Sequence, residues 1–74
     1  MSNRQQIEST LRLARDGYVE HWRRAVAEYI ASPGWLRHSQ YHIVRYWAGA
    51  IGGFESAART AGYDIGDTDV STPE

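Results

Sequence analysis

Ser32-Pro33-Gly34 interrupts the chain between two long stretches that share one pattern, apolar residues recurring at steps of three and four. That spacing is the period of an amphipathic helix. Proline cannot continue the helix before it, and glycine permits a sharp reversal. Two helices of similar length joined by a short turn pack antiparallel. The expected fold class is therefore all-α, a helical hairpin.

The first helix is expected over about residues 3–31, with Ile7, Leu11, Ala14, Tyr18, Trp22, Ala25 or Val26, and Tyr29 or Ile30 on its inner stripe. Ser2 with Gln5 fits a capping box at its start. Glu8, Arg12, Arg15, Glu20 and Arg23 read as a solvated outer face. The turn is expected over 32–39, where Ser32 caps a short helical turn beginning at Pro33, Ser39 is a second candidate cap, and Trp35 with Leu36 folds back as a plug. The second helix is expected over about 40–61, with Ile43, Trp47, Ala50 or Ile51, Phe54, Ala58 and Ala61 inward. Gly62 suits a left-handed C-terminal cap, with Tyr63 as the apolar residue after it. Residues 1–63 thus form the hairpin, and the acidic, polar stretch 64–74 reads as a disordered tail.

A single hairpin of 74 residues is marginal. A domain near this size buries only about 60% of its unfolded surface. The chain has no cysteine, which removes disulfides and thiolate metal sites as staples. Self-association is the remaining simple solution, since it buries a second apolar face. The second helix carries a matching feature: Gly49, Gly53, Ala57 and Ala61 lie at four-residue spacing, flanked by Ile51 and Phe54. Small residues at that spacing let two helix backbones approach closely. The glycines Gly49, Gly52 and Gly53 cost about 2–3 kcal/mol of helix propensity together. Close packing in a homodimeric four-helix bundle would offset that cost, whereas a local kink or break is the alternative.

Charge narrows the function classes. Residues 1–48 hold seven arginines against four acids, a balance of +3, and residues 49–74 hold one arginine against five acids, a balance of −4. Neither half is basic enough to demand a nucleic acid. The Gly53–Tyr63 stretch, with its Ala57-Ala58 and Gly62, looks like the first helix and turn of a helix-turn-helix, but the acidic segment Asp64 to Asp69 stands where a recognition helix belongs. Phosphates would repel it. A nucleic-acid-associated regulator using Arg12, Arg15, Arg23, Arg24, Arg37 and Arg45 is therefore the alternative reading, with an anti-defence protein beside it. His21, His38 and His42 are the candidate metal ligands, His38 and His42 lying one helical turn apart. With no carboxylate at a matching position, no metal or cofactor is assigned. No serine lies in a nucleophile elbow and no phosphate-binding glycine loop follows a strand, so no enzymatic activity is expected. The opening MSNRQQIEST has no apolar run, and the longest apolar run, Tyr46 to Phe54, is too short for a membrane span. A cytoplasmic location is expected.

Eight of the nine aromatic residues are tyrosine or tryptophan, and every basic residue is arginine. These types are enriched at binding hot spots. Tyr41 and Arg45 share a face one turn apart, near Arg37 and His38, with Trp22 and Tyr18 on the first helix and Trp47 set towards the core stripe. Tyr41, Arg45, Trp47, Arg37 and Trp22 are the expected partner-binding set. The order Trp22, Tyr41, Trp47 on a short helical hairpin is similar to that in small phage-encoded quorum-sensing anti-activators. That resemblance implies a phage- or prophage-encoded homodimer that blocks host proteins. The targets it implies are a LuxR-type transcription activator and the ATPase that extends type IV pili, with Tyr41 and Trp47 as contacts. The function expected is a non-enzymatic inhibitor that occludes a site on a larger protein.

Overall fold

A computed structural model describes residues 3–71 of the protein. The proposed Ser2 cap lies outside that range. Two helices, α1 (Asn3–Ala31) and α2 (Gly34–Thr60), pack against each other as a hairpin, and no strand occurs among the described residues. The result is a rod of 53 × 17 × 14 Å.

The turn is tighter than the sequence suggests. α2 begins at Gly34 rather than near Gln40, so only Ser32 and Pro33 separate the helices. Pro33 is extended, at φ −64° and ψ 158°, and its carbonyl accepts the N–H groups of Leu36 and Arg37 at 3.0 and 3.1 Å. Ser32 does not cap α2. Its hydroxyl donates back to the Glu28 carbonyl at 2.6 Å, finishing α1 instead. Nothing from Trp35 to Ser39 opposes helix, so α2 starts as soon as proline has set the direction. Trp35 is consequently carried outward and is 83% exposed, not a plug. The helix also runs unbroken through Gly49, Gly52 and Gly53, which excludes a break there.

α2 ends as a Schellman cap. The Tyr63 N–H donates to the Ala58 carbonyl at 2.9 Å and the Gly62 N–H to the Arg59 carbonyl at 3.0 Å. Gly62 has φ +93°, a conformation that costs glycine nothing.

The cap turns the chain back along the hairpin, and here the expectation of a disordered tail is corrected for residues 64–71, its last three positions lying outside the described residues. From Asp64 to Ser71 the chain has no regular secondary structure, yet it lies against the helices as a strap. Ile65 is 5% exposed and joins Val19, Ala25, Val44, Ile51 and Ala58 in the core. Three α1 arginines grip main-chain oxygens along it: Arg4 donates to Gly62, Arg12 to Asp64 at 3.0 Å and Arg15 to Ile65 at 2.9 Å. Asp64 N–H returns a bond to Glu8 at 2.8 Å. Arg12, Arg15 and Glu8 are thus structural contacts rather than an idle outer face. An amphipathic strap needs only one apolar residue in the groove, so its acidic composition hid this role.

The core stripe keeps Ala25, Ile51 and Ala58 from the expected one and departs from it elsewhere. Val44 and Ile51 are fully buried, whereas Ile43 is 42% and Ile7 39% exposed. Ile51 is therefore committed to α1 and is unavailable to a dimer contact. No helix of the described residues is long and apolar enough to cross a membrane.

Candidate protein-binding surface

The hairpin has two broad sides. On the strap side, Glu55 is buried at the centre of a clasp. Arg15 Nη1 donates to its Oε2 at 2.8 Å, and the Thr68 hydroxyl and N–H donate to the same oxygen at 2.8 and 3.0 Å. Burial pushes the Glu55 carboxyl up, but the hydrogen bonds from Arg15 and Thr68 together outweigh it and hold the group below its ordinary value of 4.5. The clasp satisfies the charge that α2 buries, and sequence reasoning missed it. The one clue is position: Glu55 falls four residues after Ile51 and three before Ala58, on the buried stripe itself.

No described residue covers the opposite side. Its floor is aromatic: Tyr18 meets Phe54 edge-on at 5.5 Å between ring centroids, and His21 stacks on Trp47 at 4.6 Å and 11°. Towards the free end this floor opens into a hollow of about 260 Å³, lined by Ile7, Leu11, Phe54, Ala57, Ala61 and Tyr63. Next to it runs the outward band of α2, with Tyr46 68% exposed and Gly49, Gly53 and Ala57 all exposed. A methyl group added at Gly49 or Gly53 would meet nothing within 4 Å, so these glycines answer no packing need inside the chain. The four charged residues of α2 are Arg37, Arg45, Glu55 and Arg59. At 3.6 residues per turn they fall within an arc of about 80° on the strap side. The rest of the helix circumference carries no formal charge.

The expected partner-binding residues do not form one site. Tyr41 and Arg45 do come together, with the Arg45 guanidinium 6.0 Å from the Tyr41 ring centroid. Tyr29 joins them 6.0 Å from Tyr41, with Arg37 5.7 Å over its ring, giving a Tyr/Arg patch near the turn. Trp47 faces the other side, among Tyr18, His21 and Tyr46. Trp22 lies half-buried in the helix interface, where its Nε1 has no hydrogen-bond partner among the described residues. Of the expected dimer-packing residues, Gly49, Gly53 and Ala57 are exposed, Phe54 is half-buried and Ile51 is buried inside the hairpin. Leu13, which the sequence did not single out, is 74% exposed, and Ile30 and Trp35, expected as an inner-stripe candidate and a plug, are 62% and 83% exposed.

The three histidines separate likewise. His38 and His42 place their Nε2 atoms 3.2 Å apart on the outside of α2, while His21 is taken up by Trp47. Among the described residues, no group of three or more histidine, cysteine, aspartate or glutamate side chains is arranged to hold a metal ion.

No protein family, curated protein or solved structure matches this chain.

Proposed function

We propose that this protein is a non-enzymatic binding protein that pairs with a second copy of itself into a four-helix bundle and occludes a site on a larger partner. The observation that carries the reading is the uncharged, uncovered band of α2, continuous from Tyr46 through Gly49 and Gly53 to the apolar hollow beside Ala57. Exposed apolar surface of this continuity on a small protein marks an interaction site. Glycine at Gly49 and Gly53 lowers helix stability without easing any contact in the hairpin. Close approach of another helix explains their presence. The hollow supplies apolar lining without the convergent polar groups that a catalytic pocket needs.

The Tyr29, Arg37, Tyr41 and Arg45 patch lies near the turn and borders the band without belonging to it. Its residue types are those of binding hot spots, so it is assigned to the larger partner. The LuxR-type activator and the pilus ATPase implied by the resemblance, in a cytoplasmic setting, are the first targets to try. A nucleic-acid role draws less support: Arg12 and Arg15 are engaged with the strap and Arg24 stands 3.7 Å from Glu20.

Light scattering across micromolar concentrations tests the pairing. The expected mass is twice that of the 8.4 kDa chain. Gly53→Arg should reduce it to a monomer with the helical circular dichroism intact. A wild-type chain that stays monomeric at 100 μM, roughly the limit of a useful affinity, would sink the pairing. For the larger partner, Tyr41→Ala should abolish capture while leaving the pair intact.

A further inference from the structure

We infer that His38 and His42 form half of a transition-metal site, completed when a second copy presents the same two imidazoles across the outward band of α2. The argument starts from their spacing. Residues four apart on a helix lie one above the other. Here both rings turn the same nitrogen inward, with Nε2 to Nε2 at 3.2 Å. Zinc binds imidazole nitrogen at about 2.0–2.1 Å in tetrahedral geometry, which puts two ligating nitrogens roughly 3.3 Å apart. The pair therefore already has the bite of a chelate. The ring planes stand at 82° to each other, and both side chains are exposed.

One copy cannot finish the site. Structural zinc takes four ligands, and no carboxylate lies on this face of α2. Arg45, the nearest charged residue beyond His42, is turned onto the Tyr41 ring. A two-fold axis beside His42 would bring two bites together and give four imidazole nitrogens, a donor set suited to zinc, copper or nickel. At 100° per residue His38 and His42 fall within about 60° of Gly49 and Gly53, so the band that meets the second copy also carries the ligands. The inference thus rests on the self-pairing reading and adds a cation to it.

The test uses untagged full-length protein, with zinc chloride titrated by calorimetry and mass followed by light scattering in chelator and in zinc. Expected is one zinc per two chains. His38→Ala and His42→Ala should each abolish that binding while leaving helicity unchanged, and magnesium should give no heat. One zinc per chain, no binding at 50 μM zinc, or equal binding by both variants would overturn the site. The last two results are those expected if the close nitrogens only share a hydrogen bond. The two readings separate cleanly. A chain that pairs in chelator but takes no zinc keeps the pairing and loses the site. A chain that pairs only with zinc upholds the site and removes the apolar band as the sufficient cause.

Discussion

The two sides of the hairpin are finished by opposite means. On the strap side, a buried carboxylate is surrounded by donors from α1 and from the C-terminal segment, and each main-chain oxygen in the grip is matched to a guanidinium. On the open side, rings and small residues face outward with no covering element. The first arrangement fixes one geometry, since an ion pair and its hydrogen bonds tolerate little displacement. The second is indifferent to geometry until something docks. The comparison teaches that this chain uses its polar contacts for internal closure and leaves an apolar surface that no described residue covers.

The sharpest way to break the comparison is Arg15→Met. It strands the Glu55 charge in the interface, and removing one partner of a buried pair costs about 3–5 kcal/mol. Urea denaturation should show the variant largely unfolded or close to it. The double variant Arg15→Met with Glu55→Leu should recover most of the loss, because an apolar replacement of the whole pair is often neutral. If the double variant is no better than the single one, the clasp does not act as a pair.

Acid probes the same contact more gently. The Glu55 carboxyl in the folded chain lies below its ordinary 4.5, so the unfolded chain takes up the proton first as pH falls. Its contribution is fully present above 4.5 and is lost as pH drops through the lower folded value. Wild type should therefore lose stability faster than Glu55→Gln as pH falls below 4.5, measured by denaturation at each pH. Parallel curves would show that other carboxylates dominate.

The smallest effect sharpens the open side. Gly52 lies beside the band rather than on it, and a Cβ there meets nothing within 4 Å. Gly52→Ala should raise stability by up to about 1 kcal/mol without changing the oligomeric mass. A change in mass would move the docking surface around the helix.

Much of the fold could be read from the residues. Step spacing gave both helices, Pro33 gave the reversal, and Gly62 gave a C-terminal cap whose left-handed backbone and paired hydrogen bonds are present. The start of α2 was harder to read, because Trp35 to Ser39 looks like a loop only to an eye that expects a proline corner to be long. Val44 rather than Ile43 is buried because the apolar arc of α2 is wider than α1 alone can cover, and its centre does not mark the buried line. The Arg15–Glu55–Thr68 clasp was invisible for another reason. Its members are 40 and 13 residues apart in sequence, and only the packed chain brings them within hydrogen-bond reach. The His38–His42 juxtaposition could be read from spacing, but the place of His21 required the stacked Trp47.

Arg4, Arg12 and Arg15 hold the strap by carbonyl oxygens, which every amino acid provides. Those three contacts alone ask nothing of the side chains between Asp64 and Ser71, whereas Ile65 and Thr68 are pinned by what their side chains do, Gly66 by its φ of +78° and Asp67 by its ion pair with Arg59. Distant kin should be recognisable by arginines at offsets of eight and three along one helix and by a lone glutamate on the other, even where their final segments share little beyond an apolar residue, a glycine and a threonine at the places of Ile65, Gly66 and Thr68.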